Sequence, residues 1–253
     1  MRSFHAQERL LKRAYYGVLC ASRHDERQLR RHGRADRVLV LNLHSVDPSP
    51  NPFWPALHPR LFAGLLEWLR GRCTVTLPST LGEVARTDAM RPLVVLSFDD
   101  GYLSVYQNVV PLLRRLRWPG VLNLALGNTK SSPPGVTRAE VKSMMRAGWE
   151  LASHTISHLD LTTLDRAQLR QELVGSRRLI RRWFHVTVYD FCYPAGRYNR
   201  RVMRAVRRAG YTTATTVKPG IATARHPYEL PRIRVEESDR VAGLAGTLAS
   251  LRR

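Results

Sequence analysis

The stretch VVLSFDDGY, residues 94–102, places two acids and a glycine directly behind an apolar run that reads as a buried strand. Charge is costly in a core, so Asp99 and Asp100 need partners from elsewhere in the chain. Outward from this stretch, strand and helix patterns alternate. RVLVLNLHS (37–45), LVVLSF (93–98), GVLNLAL (120–126), WELAS (149–153), VTVYDF (186–191) and YTTATT (211–216) have strand character. HPRLFAGLLEWLRGR and the segments near 104–117, 138–147, 166–184 and 200–209 carry apolar residues at helical spacing. Thr137 with Glu140 and Asp165 with Gln168 suit capping boxes, and Gly148 and Gly210 suit helix stops. Repeated strand–helix units predict an α/β fold with a mostly parallel sheet, closed as a barrel or open. Ligands of such folds gather at the carboxyl ends of the strands.

The 253 residues suffice for one large domain. With 41 Lys+Arg against 20 Asp+Glu, the formal charge of +21 favours an acidic partner: nucleic acid, anionic lipid or an acidic glycan. Charge alone does not choose among these, because arginines in RQLRRHGR, SRRLIRRW and NRRVMRAVRR also suit solvated helix faces. Cys20, Cys73 and Cys192 are odd in number and form no CxxC pair, which argues against a disulfide framework or a thiolate zinc site. No apolar run approaches the roughly 20 residues of a membrane-spanning helix. The opening MRSFHAQERLLKRAYYGVLCASRHDERQ is a poor signal peptide, its apolar patch AYYGVLCA being too short. Residues 3–31 instead suit a basic amphipathic helix on an anionic membrane surface. Pro-rich polar loops at 46–59 and 127–136 are positioned to border a groove.

A second motif, SHTISH (153–158), follows another strand. His154 and His158 are four apart, a spacing that brings two imidazoles to one metal ion on a helical turn or compact loop. Each piece has an ordinary reading: adjacent acids before glycine form turns, and histidines at this spacing are often surface or core residues. Together, at the ends of successive strands of one sheet, they make a divalent-metal site with open positions for water. FCYPAGRYN (191–199) reads as a strand-to-helix turn capped by Asn199, and such a turn can also aim backbone N–H groups at an oxyanion.

These stretches in this order resemble the polysaccharide deacetylases, carbohydrate esterase family four, also called the NodB homology domain. SFDDGY resembles the family's first motif, SHTISH its second, and FCYPAGRYN a variant third motif. LNLHSV and ELPRIRV resemble the opening and closing segments of one bacterial branch, so the likeness spans about residues 37–236. It implies a distorted (β/α)7-type barrel over 37–253; the residues before it, 1–36, read from their own composition as a basic helical leader.

The implied activity is metal-dependent hydrolysis of N-acetyl groups on an amino sugar such as N-acetylglucosamine, within a polysaccharide, oligosaccharide or glycolipid. Asp100, His154 and His158 match the ligands of a divalent metal, usually Zn2+ in the family. Asp99 matches the catalytic base that takes a proton from the attacking water. Ala195 matches the residue whose backbone N–H holds the oxyanion. The family's third-motif arginine is absent, since Phe191 and Cys192 stand there, and Arg232 is expected to supply that charge from another strand. The usual C-terminal histidine motif is also missing, and His44 matches the N-terminal histidine that replaces it as general acid. An O-acetyl esterase using the same site is the alternative enzyme. A basic nucleic-acid or anionic-lipid binding protein without catalysis is the alternative of another class, and the intact motif set argues against a nucleic-acid partner. The expected location is cytoplasmic, or peripheral at the inner membrane surface.

Overall fold

Strand β3 (Leu93–Asp100) is buried along its whole length and lies in the middle of one curled sheet. The structure, a computed structural model, describes residues 37–49, 56–80, 91–127 and 134–235. The leader at 1–36, much of the 46–59 and 127–136 loops and the chain after residue 235 lie outside the described residues. The other strands are β1 (Arg37–Leu43), β2 (Thr74–Val75), β4 (Val121–Leu124), β5 (Glu150–Ser153), β6 (Asp190–Cys192), β7 (Thr213–Thr215), β8 (Ala222–Thr223) and β9 (Ile233–Arg234). The strand order is β7-β6-β5-β4-β3-β1-β8, with β2 added to β3 and β9 to β1. All pairings are parallel except β1 with β8.

The sheet is therefore mixed and forms a half-barrel rather than a regular closed ring. Between β7 and β1 the wall consists of short pieces: Leu230 N–H donates to Ala214, Thr216 N–H to Leu230, and Val235 N–H to Asn42. Thus the segment carrying Arg232 spans the seam, and β9 pairs with β1.

Helices α1 (Pro59–Leu69), α2 (Leu103–Asn108), α3 (Val110–Leu116), α4 (Arg138–Arg146), α5 (Arg166–Arg170), α6 (Ser176–Phe184) and α7 (Arg200–Arg208) cover the outer face. Alternation decides which side chains meet them. Leu39, Leu41, Leu43, Val94, Leu96 and Phe98 join the large core with Phe62, Val105, Leu113 and Met144, whereas Val38, Val40, Leu93, Val95, Val121 and Ala152 fill the opposite face. Both capping boxes form, at Thr137–Glu140 and Asp165–Gln168, and Asn199 caps α7. Gly148 and Gly210 take φ of 87° and 90° after their helices, as stop signals require.

Several strands are shorter at their ends than the sequence predicts, and three elements depart further. The helix expected over 104–117 breaks at Val109 because Pro111 has no N–H and its ring crowds the carbonyl four residues back. The helix expected over 166–184 contains a π turn, Gln171–Gly175, between α5 and α6. The strand expected at 186–191 is confined to Asp190–Cys192, the part that has partners in β5 and β7.

Candidate active site and metal centre

The carboxyl ends of β1, β3, β5 and β6 converge with the seam segment, and the polar residues found there are the ones the motifs carry. Strict alternation would send Asp99 and Asp100 to opposite faces of the sheet. Asp99 follows Val95 and Ser97 inward. Asp100 leaves the strand with φ 71°, and Gly101 follows at φ 84°. A Cβ on Gly101 would come within 2.8 Å of Leu124 Cδ1, so the tight turn favours glycine twice over. The two acids consequently reach different partners.

Asp99 is 2 % exposed. Its Oδ1 and Oδ2 accept from Arg232 Nη1 and Nη2 at 2.7 and 2.8 Å, a bidentate pair. Asn123 Nδ2 donates to the same Oδ1 at 2.6 Å, and the Cys192 thiol approaches Oδ2 at 3.6 Å. Arg232 is fixed in turn by Thr216 O, 2.8 Å from Nε, and by Ser97 Oγ, 3.3 Å from Nη1. Burial pushes the Asp99 carboxyl up, but the Arg232 guanidinium outweighs it and holds Asp99 well below the usual carboxylate range. Asp99 is therefore ionised and its orientation is fixed. His44 Nε2 lies 3.9 Å from Asp99 Oδ2. Burial lowers the His44 pKa against the pull of Asp99 and Asp100.

Asp100 faces the imidazoles. Its Oδ1 is 3.4 Å from His154 Nε2 and 3.3 Å from His158 Nε2, and the two Nε2 atoms are 3.1 Å apart. His154 Nδ1 lies 2.8 Å from the Cys192 carbonyl, which can only accept, so the Nδ1 proton is fixed there and Nε2 presents a lone pair in the neutral ring. Three donor atoms thus surround one point. Tetrahedral bonds of about 2.0–2.1 Å place ligand atoms about 3.3–3.4 Å apart, close to the observed spacings, so these residues fit a divalent ion. In the metal-free chain, burial lowers the His154 pKa but the Cys192 thiol and the Asp100 and Asp99 carboxylates raise it well above the ordinary value. Asp99, His154 and Cys192 also lie within reach of one another. A cation there would compete with Arg232 for both Asp99 oxygens, so the Asp100 set is the better centre.

Of the residues singled out in the sequence, Asp99, Asp100, His44, His154, His158 and Arg232 come together here. Ala195 is exposed in the turn Pro194–Gly196 that follows β6, in the left-handed region at φ 49°. Its neighbour Gly196 sits so close to Val217 that a Cβ would fall 2.3 Å from Cγ2. Sequence reasoning missed Ser97 and Asn123, which brace the Asp99–Arg232 pair. Their signal was present: each is a polar residue inside an otherwise apolar strand, pointing to the same face as Asp99.

Comparison with known proteins agrees with this construction. The family model for polysaccharide deacetylase matches residues 86–214, half of the chain. YxkH of Bacillus subtilis (strain 168), assigned to the polysaccharide deacetylases, is 30% identical over 203 residues, covering 79% of this chain and 71% of that protein. The poly-beta-1,6-N-acetyl-D-glucosamine N-deacetylase of Escherichia coli (strain K12) is 25% identical over 185 residues, 56% of this chain but 27% of that longer protein. Among solved structures, the Streptococcus pyogenes deacetylase PplD has the same fold, with a TM-score of 0.75, 22% identity and coverage of 84% and 98% of the two chains. BC0361 of Bacillus cereus superposes with a TM-score of 0.74 at 22% identity, covering 84% of this chain and 69% of that one. By motif order, matched length and fold, this chain is a hydrolase of the polysaccharide deacetylase family.

Proposed function

We propose that the protein removes N-acetyl groups from an amino sugar in a polysaccharide, oligosaccharide or glycolipid, releasing acetate, with Zn2+ as its metal. The observation that carries this reading is the side-by-side placement of a metal-type triad, Asp100/His154/His158, and an ionised, immobilised carboxylate, Asp99. The name of the Escherichia coli relative supports an N-acetylhexosamine substrate.

A divalent ion held by Asp100, His154 and His158 would lower the pKa of a water toward about 7 and polarise the acetamide carbonyl. Asp99 accepts the proton of the attacking water. Arg232 keeps its basicity low, so the proton passes on to His44. His44, whose Nε2 lies 3.9 Å from Asp99 Oδ2, passes that proton to the departing nitrogen as the C–N bond breaks. The Ala195 N–H donates to the oxyanion formed from the carbonyl. Water and acetamide are thereby converted to acetic acid and an amine, which stand as acetate and an ammonium group once the acid's proton moves to the amine. Asn123 and Ser97 hold Asp99 and Arg232 in register throughout.

Substrate access follows from the surface. The excess positive charge favours an anionic glycan or a lipid-linked substrate at a membrane face, in keeping with a cytoplasmic or inner-membrane-peripheral location. No helix of the described residues is long and apolar enough to cross a membrane. The test is acetate release from N-acetylglucosamine oligomers and lipid-linked N-acetyl sugars, with and without a chelator. Activity that survives chelation, or full activity in Asp100→Ala, would sink the metal mechanism. Release only from O-acetylated glycans would assign the same site to ester cleavage.

A further inference from the structure

The turn that carries both histidine ligands has an unfavourable backbone. Thr155 and His158 adopt φ of 72° and 54°, a left-handed conformation that disfavours side-chain-bearing residues. Such a turn persists only where its surroundings over-determine it. Here every amide from 155 to 158 has an acceptor. Thr155 N–H donates to Ser153 Oγ at 3.4 Å, and His158 N–H to Thr155 Oγ1 at 3.0 Å. The two central amides, of Ile156 and Ser157, both donate to Glu172 Oε2, at 2.8 and 3.0 Å. The carbonyls of Thr155 and Ile156 accept from Leu126 and Gly127. The first and last of these amide bonds are local, and the middle pair depends on one distant carboxylate.

Glu172 is 5 % exposed. Among the described residues no lysine or arginine pairs with it, and the two turn amides are its partners. It lies in the π turn between α5 and α6, and isolated π turns mark functional sites. The irregularity is itself stabilised, because Ser176 Oγ and Tyr211 OH donate to the Leu173 carbonyl. Gly175 keeps the helix close to the turn: a Cβ there would come within 3.0 Å of Ile156 Cδ1.

We propose that Glu172 is a positioning residue of the metal centre, whose carboxylate locks residues 155–158 so that His154 and His158 direct Nε2 at a common point. It touches neither metal nor substrate, and it sets metal affinity. This inference rests on the metal reading above. Partners that orient metal ligands typically change affinity by about 10–100-fold when removed.

The test is metal affinity of the purified chain, measured by competition for Zn2+ with a chromophoric chelator, beside circular dichroism of each metal-free variant. Glu172→Met keeps the bulk and removes the acceptor, and is expected to lose about 10-fold or more in affinity. Glu172→Asp withdraws the acceptor by one methylene with little change in packing, and is expected to fall between Met and wild type. Glu172→Gln can still accept both amides and is expected to retain near-wild-type affinity. Wild-type affinity in Glu172→Asp together with either wild-type affinity or misfolding in Glu172→Met overturns the proposal, as does Gln as weak as Met. A wild-type chain that binds no metal overturns the metal reading and this inference with it, whereas a tight wild type with indifferent variants overturns the inference alone.

Discussion

Arg232 and Asp99 form two parallel hydrogen bonds, at 2.7 and 2.8 Å, although 133 residues separate them along the chain. Both are almost wholly buried, with Arg232 1 % exposed. Removing one member of such a pair leaves an uncompensated buried charge, which typically destabilises by about 3–5 kcal/mol. Arg232→Met is expected to lower unfolding stability by that amount at pH 7 and to abolish most turnover. Combining it with Asp99→Asn should restore much of the stability and none of the activity, as read by urea unfolding and acetate release. A single Arg232→Met chain as stable and active as wild type would refute the assignment.

Removal of metal tests a different link. Dialysis against chelator should abolish acetate release, and a divalent ion added back should restore it. His154→Ala and Asp100→Ala are expected to retain the fold yet bind less than an equivalent of metal at a concentration that saturates wild type. His154 is the more severe loss, since its Nδ1 is also tied to the Cys192 carbonyl. Elemental analysis of the three chains gives the comparison, and full occupancy in both variants would place the metal elsewhere.

The role of His44 is separable from that of Asp99 by leaving group. An amine must be protonated as it departs, whereas an aryl oxide leaves without help. His44→Ala is expected to cut kcat on the acetamide by roughly 10²–10⁴-fold and to affect an activated aryl acetate far less. Equal losses on the two substrates would show that His44 does not act as the general acid.

Stability should also depend on pH through Glu150, at the opposite end of the strands from the site. Burial pushes its carboxyl from 4.5 up to about 7, against a hydrogen bond from Ser79 and with reinforcement from Asp190. The folded chain therefore binds more protons than the unfolded chain between these values, and stability falls as pH rises through that window. Because the group is partly exposed, the loss is expected to be about 1–2 kcal/mol, less than the full shift would give. Glu150→Gln should flatten the profile and be the more stable chain at pH 8, with urea midpoints at pH 5 and pH 8 as the measurement. An unchanged pH slope in the variant would rule Glu150 out as the source.

The regular elements were legible because they depend on short-range pattern. The apolar run that leads into Asp99, the 3.6-period helices and the caps at Thr137, Asp165 and Asn199 are all properties of neighbouring residues. Breaks were less legible. Pro111 divides a helix by a local clash that could have been foreseen, but the π turn at Gln171–Gly175 is sustained by Ser176 and Tyr211, and only folding brings Tyr211 there.

The site divides in the same way. The sequence by itself determined which chemical groups stand at strand ends: the acids of SFDDGY, the imidazoles of SHTISH and the turn of FCYPAGRYN. Local pattern could not decide which acid faces which partner, because Asp99 and Asp100 are adjacent and chemically identical; only the family resemblance assigned Asp100 to the metal and Asp99 to the base. The tertiary structure decided that through one left-handed residue, Asp100 at φ 71°, which turns its carboxylate to the histidines while alternation keeps Asp99 facing inward. It also placed Arg232 against Asp99, since the seam between β7 and β1 delivers its guanidinium beside β3. Pairing across the sheet is a long-range contact that no local pattern encodes, and that is the physical reason local motifs displayed the residue types while their partners came only from family likeness and the fold.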